Sequence, residues 1–169
     1  MASEGTIASY AAGGSARLVL RPLRIADAAE LQHLTDDHAI TSAISFLSHP
    51  FTREEAESLI RGADGTSEVF LGAWHRESGA LIGVVGAHRR GASDIEIGYW
   101  IGTPFHGQGY ASEAACAVLA QLRSALPGHR IVAECRAENL ASRRVLEKLG
   151  LRPTGEKGIR PGRLLFALS

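Results

Sequence analysis

The chain has 169 residues, of which 45% are hydrophobic and 21% charged, a composition typical of one globular domain with a sizeable core. Its 18 acidic and 18 basic side chains balance, so composition offers no positive field that would favour nucleic acid or an anionic membrane as a partner. No apolar run reaches the length of a membrane span, and the N-terminus lacks the basic and apolar regions of a signal peptide. We therefore expect a cytoplasmic protein.

Cysteine and histidine usage indicates neither a disulfide framework nor a metal site. Cys116 and Cys135 fall in a predicted helix and a predicted strand, and their number and spacing suggest no staple. The seven histidines are scattered over different elements, without the spacing that fixes a metal geometry. We expect a reducing compartment and no metal cofactor.

The first part of the chain predicts a tail followed by a strand and a helix. Residues 1–16 are rich in Ala, Gly and Ser, have little to bury, and predict a flexible tail, which leaves 17–169 as a single domain. Residues 18–20 predict a short strand. Asp27 can then cap a helix that ends near residue 34.

A loop and a second helix follow. Residues 36–50 predict an irregular loop. Thr52 and Glu55 have the spacing of a capping box, which starts a helix that ends near residue 61. Phe51 is placed for a hydrophobic staple against Ala56.

From residue 68 the hydrophobic period changes to two, and strands and helices then alternate. This order predicts a mixed α/β (α+β) fold. The predicted elements are a hairpin of strands 69–74 and 81–87, a strand 94–101, a helix 110–126, a strand 131–136, a helix 139–149, and paired terminal strands 153–156 and 163–168.

The most informative stretch runs from Asp94 to Glu113, where an apolar strand breaks into a glycine loop that opens a long helix. Gly107 and Gly109 allow a positive φ and a close approach of the backbone to a ligand. The first N–H groups of a helix that begins near Tyr110 lack intrahelical partners and lie at the positive end of its dipole. Together these features suit a pyrophosphate, although two such glycines also occur in many ordinary turns.

The residues around this loop resemble a known family. Residues 106–111, His-Gly-Gln-Gly-Tyr-Ala, are similar to the pyrophosphate loop of the GNAT superfamily of acyl-CoA N-acyltransferases, with His106 at a position that usually holds Gln or Arg. Residues 96–101 before the loop and the block 139–151 resemble the branch that contains the ribosomal-protein N-terminal acetyltransferases. The resemblance covers residues 17 to about 157. It implies the GNAT fold, a mixed central sheet of about six or seven strands flanked by about four helices.

The resemblance also implies how acetyl-CoA, the cosubstrate, is held. Backbone groups of Trp100 and Ile101 would bind the pantetheine arm as an added strand does, and the strand would splay at Gly98. A histidine at 106 can donate a hydrogen bond to a phosphate but lacks the fixed charge of an arginine. Asn139 can bind pantetheine, but capping a helix explains it equally well. The implied donor-binding residues are Trp100, Ile101, His106, Gly107, Gln108, Gly109, Tyr110, Ala111, Ser112 and Asn139.

Two residues are implied to be catalytic. Glu96 shares a strand face with Gly98 and stands where relatives often carry a glutamate that takes a proton through water, although it could instead be a cross-strand partner of Arg89 or Arg90. Ser142 would lie near the sulfur and donate a hydrogen bond to the thiolate, since no tyrosine follows the second block.

The acceptor is the least defined part of the prediction. The resemblance implies an N-acetyltransferase that acts on a primary amine by direct attack in a ternary complex, with a protein N-terminal α-amine slightly preferred over a small-molecule amine. A non-catalytic acyl-CoA-binding module and a nucleotide-binding domain of another fold are the alternatives. Closure of the acceptor site by a partner subunit, as in a homodimer, stays open. Loop residues Asp36, Asp37, Thr41, Ser45 and Phe46 could contact the amine, although paired aspartates are more often solvated turn residues.

Overall fold

The structure, a computed structural model, describes residues 5–168 and is built around one 8-stranded sheet. The strands are, in chain order, β1 (Gly13–Gly14), β2 (Leu18–Pro22), β3 (Glu68–His75), β4 (Leu81–Arg90), β5 (Asp94–Ile101), β6 (Arg130–Arg136), β7 (Leu151–Lys157) and β8 (Arg163–Leu168).

The strands lie in the order β1-β2-β3-β4-β5-β6-β8-β7. Every neighbouring pair is antiparallel except β5 and β6, which run parallel. That parallel pair needs a crossover connection, and the helix Tyr110–Ala125 supplies it. The helices are α1 (Ile7–Ala11), α2 (Ala28–Thr35), α3 (His38–Thr41), α4 (Arg53–Gly62), α5 (Tyr110–Ala125) and α6 (Leu140–Lys148), with short 3-10 turns at Ile25–Asp27 and Thr103–Phe105.

Local capping sets the helix starts that the sequence predicts. The side chain of Thr52 accepts a hydrogen bond from the Glu55 N–H, and the Glu55 carboxylate accepts from the Thr52 N–H, which confirms the capping box of α4. Phe51 and Ala56 are both buried in one apolar cluster, as the predicted staple requires. Each cap satisfies amides that would otherwise lack a partner at the helix start.

The sheet has an apolar core on each face. One core packs α5 and α1 against the sheet and includes Ile97, Val118 and Phe166. The other packs α2 and α4 against the opposite face and includes Phe70 and Trp100. The alternation along β5 follows from this arrangement, because successive side chains of a strand point to opposite faces.

Residues 5–16 differ from the predicted flexible tail. They form α1 and β1, and Ile7 and Ala11 are completely buried in the core beside α5. Burial of the Ile7 and Ala11 side chains and a cap by Thr6 order this segment against the core surface, which the local sequence does not reveal. The first four residues of the predicted tail lie outside the described residues.

Other differences are smaller. Residues 36–50 contain the short helix α3, capped by Asp37, where an irregular loop is predicted. The short elements β1, α1 and α3 raise the counts above the six or seven strands and four helices that the resemblance implies. Within residues 5–168, no helix is long and apolar enough to cross a membrane.

Candidate active site

The candidate site lies where β5 and β6 separate. Their parallel pairing holds from Asp94 and Arg130 to Glu96 and Val132, and ends there. On its other edge β5 is paired with β4 up to Ile101 without a bulge. The splay predicted at Gly98 is therefore a separation of β5 from β6. A Cβ built at Gly98 meets no atom within 4 Å, which places this glycine beside open space.

Backbone direction decides which groups of β5 face the gap. The Gly102 N–H donates to the Ile82 carbonyl of β4, and backbone groups alternate sides along a strand. The N–H and C=O groups of Trp100 therefore point to β4, while those of Tyr99 and Ile101 point into the gap. Of the two residues predicted to pair with a pantetheine arm, only Ile101 presents its backbone there.

The gap opens into a cavity of about 530 Å³, which is large enough for a thioester arm and a small acceptor. One end is bordered by the glycine loop and α6. The other end is bordered by α3, the loop after it and the β7–β8 turn. Lining residues that matter below are Phe46, His88, Glu96, Ser112, Ser142 and Arg163.

The glycine loop has the predicted anion-binding geometry. Gly107 and Gly109 have φ values of 73° and 81°, which favour glycine. Gly109 is the N-cap of α5, and the first intrahelical bond runs from the Glu113 N–H to the Gly109 carbonyl, at 3.1 Å. Within the described residues, no protein group accepts a hydrogen bond from the amides of residues 107–112. Six donors therefore converge at the positive end of a helix.

Arg17 and Glu113 hold this loop in place, and sequence reasoning missed both roles. Arg17 Nη2 donates to the Gln108 carbonyl at 3.0 Å and lies 2.6 Å from Glu113 Oε2. Its guanidinium also stacks 4.1 Å from the centroid of the Tyr110 ring. Arg17 thus ties β2 to the loop and to the first turn of α5, and adds positive charge beside the free amides.

His106 is placed differently from the phosphate contact that the resemblance implies. Its Nε2 lies 2.7 Å from the Ile101 carbonyl, and a carbonyl only accepts, so Nε2 carries the hydrogen. Nδ1 is the ring nitrogen left for a ligand. This contact also occupies the Ile101 carbonyl, which leaves the Ile101 N–H as its free backbone group in the gap.

Glu96 is buried within an ion-pair network. Its carboxylate receives Arg90 Nε at 2.8 Å and Arg160 Nη1 at 2.7 Å, and Arg160 Nη1 also reaches Glu134 Oε2 at 3.0 Å. Burial alone would raise the pKa of Glu96, but the two guanidinium groups outweigh it and hold that pKa below its usual range. The cross-strand ion pair with Arg90, which the sequence offered as an alternative role for Glu96, is present. The second ion pair, with Arg160, was not predicted from the sequence.

His88 lies beside Glu96 on the neighbouring strand and was also missed. The two residues are register partners in β4 and β5 and point to the same face. His88 Nδ1 is 2.6 Å from Glu68 Oε1, and the ring packs edge-on against Phe70. Burial lowers the pKa of His88, with the charges of Glu68 and Glu96 opposing that shift, so the imidazole is neutral at pH 7.

Ser142 has a tyrosine beside it. Tyr99 Oη lies 3.1 Å from Ser142 Oγ, and burial raises the pKa of Tyr99 to about 12. Sequence reasoning looked for a tyrosine only after the second block and therefore missed Tyr99, whose phenol reaches from β5 to α6. Asn139 Oδ1 accepts from the Ser142 N–H at 3.1 Å, so the predicted capping by Asn139 is confirmed.

The loop residues predicted near the acceptor divide into two groups. Asp36 accepts from the Phe51 N–H and Asp37 caps α3, so both carboxylates have structural partners. Thr41 is buried, with its hydroxyl donating to the Asp37 carbonyl at 3.2 Å. Ser45 and Phe46 line the cavity.

Comparisons with known proteins identify the family. A family model described as "Acetyltransferase (GNAT) domain" matches residues 17–152. The chain belongs to the GNAT acetyltransferase family.

Relatives agree with this assignment. An uncharacterised N-acetyltransferase, YnaD of Bacillus subtilis (strain 168), is 31% identical over 140 residues, which are 82% of this chain and 81% of that protein. A GNAT-family acetyltransferase from Bacillus anthracis superposes with a TM-score of 0.80 at 27% identity, covering 91% of this chain and 95% of that one. RimJ of Mycobacterium smegmatis, solved with CoA-disulfide, gives a TM-score of 0.77 at 26% identity, covering 89% and 81%. The predicted family, fold and likeness to Rim-type enzymes are confirmed, and the protein is an acyl-CoA-dependent acetyltransferase.

The site features that could be predicted from the sequence are those formed by a few consecutive residues. The glycine loop and the helix cap at Asn139 are local features, so their residues meet in the structure as predicted. Across residues 5–168, no group of three or more His, Cys, Asp or Glu side chains could hold one metal ion.

Proposed function

We propose that this protein transfers the acetyl group of acetyl-CoA to a primary amine by direct attack in a ternary complex. The observation that carries the proposal is the continuity of two features: six free amides at residues 107–112 and, next to them, the exposed edge of β5 where it leaves β6. A pyrophosphate on the amides and a pantetheine arm along that edge would bring the thioester into the cavity.

The bonds exchanged in the reaction define what the residues must do. The neutral amine nitrogen forms a bond to the acetyl carbon, the carbon–sulfur bond breaks, and the amine loses one proton while the thiolate of CoA gains one. Backbone N–H groups facing the gap, such as that of Ile101, are placed to donate to the thioester oxygen as charge develops on it. No covalent enzyme intermediate is required.

Glu96 is the predicted proton acceptor, acting through water. Its position on the cavity wall supports that role. Both carboxylate oxygens are, however, held by arginines, and a carboxylate with a lowered pKa is a weak base at neutral pH. The network equally suits a role in keeping Arg160 and Glu134 in place.

His88 is a second candidate for the proton acceptor. It is neutral at pH 7, lies opposite Glu96, and has the Glu68 carboxylate 2.6 Å from its Nδ1. If His88 takes the proton, kcat/KM falls as pH drops below the lowered pKa of His88, and the fall is absent from His88→Gln. If Glu96 acts, the fall comes only in stronger acid, since the pKa of Glu96 is also lowered, and Glu96→Gln abolishes turnover.

Tyr99 and Ser142 are proposed to hydrogen-bond the leaving sulfur. A phenol with a pKa of about 12 is a weaker acid than a thiol, so it keeps its own proton and acts by donating one hydrogen bond. Ser142 Oγ, at 3.1 Å from the phenol, can accept from it and donate onward to the sulfur.

An acceptor screen tests the proposal. Release of CoA thiol is followed with acetyl-CoA and a panel of amines that includes peptides with free N-termini and small amines. We expect at least one acceptor to give turnover that saturates with both substrates, with acetylated amine found by mass spectrometry. Tight CoA binding without turnover of any acceptor would instead make the chain a binding module.

A further inference from the structure

One charged group at the acceptor end of the cavity has no ion-pair partner among the described residues. The carboxylates of Glu96 and Glu134 face the guanidinium groups of Arg90 and Arg160, and the Glu68 carboxylate lies beside His88. Arg90 and Arg160 are engaged with the Glu96 and Glu134 carboxylates at 2.7–3.0 Å. Among the described residues, no carboxylate lies within ion-pair distance of Arg163.

Arg163 is held in a fixed position despite lacking a charged partner. Its Nη2 donates to the Ala43 carbonyl at 3.0 Å, which ties β8 to the loop after α3. Nη2 has a second N–H, which forms a two-donor fork with either Nη1 or Nε, and a carboxylate can accept from such a fork in bidentate fashion. Arg163 lines the same cavity as Glu96 and Ser142, so a ligand on this fork would lie within the reaction site.

The surroundings of Arg163 disfavour its charge until an anion arrives. Burial lowers the pKa of Arg163, and the positive charges of Arg136 and Arg160 add to that effect. Arg163 is half-buried in the described structure. A carboxylate in front of it would relieve both the desolvation and the repulsion between cations.

Three aromatic rings form the apolar wall of the same end. Phe46 lies 5.9 Å from Phe70 and 6.1 Å from Trp100 between ring centroids, and Phe70 lies 6.2 Å from Trp100. Phe46 is 49% exposed although it is a large apolar side chain. An apolar group of a ligand would cover it and gain the free energy of removing that surface from water.

We propose that the acceptor is an apolar amine of the amino-acid type, in which Arg163 binds a carboxylate beside the reacting amine and the ring wall of Phe46, Phe70 and Trp100 receives the side chain. This inference rests on the proposed acetyl transfer. One unpaired cation matches a carboxylate, because a doubly charged phosphate would leave a negative charge facing Glu96 and Glu134. A peptide N-terminus lacks the carboxylate at this position.

Matched acceptors test the inference. kcat/KM is measured with acetyl-CoA and either phenylalanine, phenylalanine amide or 2-phenylethylamine, which share the ring and the amine. The wild type is expected to prefer phenylalanine by about tenfold or more, the effect of one charge-assisted hydrogen-bonded pair. In Arg163→Gln the ratio of phenylalanine to its amide should fall toward one, while the Kd for CoA, which reports the other end of the cavity, stays within twofold.

Arg136→Gln is the matched control, because Arg136 pairs with Arg163 across β6 and β8 and is exposed. It should retain the preference for phenylalanine. Equal kcat/KM for phenylalanine and its amide in the wild type would overturn the inference, as would faster turnover of peptides or of the aminophosphonate analogue.

A second measurement separates this inference from the proposed reaction. Binding of phenylalanine and of its amide to the CoA-loaded protein is followed by tryptophan fluorescence, to which Trp100 in the ring wall contributes. Tighter binding of phenylalanine that disappears in Arg163→Gln supports the inference even if no acceptor turns over. If no acceptor turns over, absence of that preference in binding refutes the inference; if amines are acetylated, equal kcat/KM values for phenylalanine and its amide refute it.

Discussion

Replacing Gly109 with alanine tests the anion-binding loop with little steric ambiguity. Gly109 has φ 81°, and a Cβ there would meet only Arg17 Nη2, at 3.6 Å, which is ordinary contact. The left-handed conformation costs a residue with a Cβ about 1–2 kcal/mol, so the loop is driven toward other conformations that misalign its amides. Since 1.4 kcal/mol corresponds to a factor of ten, we expect the Kd for CoA to rise about tenfold in Gly109→Ala.

Gly91→Ala is the matched control. Gly91 also has a positive φ, of 61°, and no atom lies within 4 Å of a Cβ built there. Gly91 precedes β5. The length of this strand from Asp94 to Ile101, about 23 Å by strand rise, separates Gly91 from the end of β5 that leads into the glycine loop. Titration calorimetry with CoA and thermal unfolding should show a similar loss of stability in both variants and a weaker Kd only in Gly109→Ala. Equal Kd values in both variants and the wild type would show that the loop conformation at Gly109 does not set the affinity for CoA.

Three further predictions address the charges and hydroxyls of the site. Arg17→Gln should raise the Kd for CoA several-fold in the same titration, because it removes the hydrogen bond that holds the loop at Gln108. Arg76→Gln is the control: it loses only a hydrogen bond to the Ser15 carbonyl and should leave that Kd unchanged. Glu96→Gln should lower the free energy of unfolding by about 3 kcal/mol at pH 7, measured by urea denaturation. Because the folded-state pKa of Glu96 is lowered, that difference is fully present above the ordinary glutamate pKa and should vanish as the pH falls through the lowered folded-state pKa. A difference that did not shrink as the pH was lowered would contradict the ion-pair explanation. Tyr99→Phe should lower kcat several-fold with the Kd for CoA unchanged. Adding Ser142→Ala to Tyr99→Phe should lower kcat little further, since the two hydroxyls act as one unit. Additive losses in single-turnover rates would show that the hydroxyls act separately.

Features set by neighbouring residues were predictable from the sequence. The capping box at Thr52, the cap at Asn139 and the positive φ values at Gly107 and Gly109 each depend on a few consecutive residues. The hydrophobic period of two likewise predicted the β4–β5 region. These local rules placed the glycine loop and both helices beside it.

Features set by distant residues were not predictable in this way. Arg160 reaches Glu96 from the other end of the chain, and Arg17 reaches Glu113 across the sheet. Such pairs depend on which strands are neighbours, and single-sequence patterns do not specify that. Ile7 shows the same limit, because its burial depends on a surface that α5 provides.

We propose that the amides of residues 107–112 bind the diphosphate of CoA and thereby direct its thioester into the gap between β5 and β6. Calorimetric Kd values for CoA, dephospho-CoA and pantetheine test it most directly. We predict that dephospho-CoA, which keeps the diphosphate, binds within a few-fold of CoA, and that pantetheine binds at least about a hundredfold more weakly, the equivalent of two charge-assisted hydrogen bonds. Pantetheine binding as tightly as CoA would contradict the account.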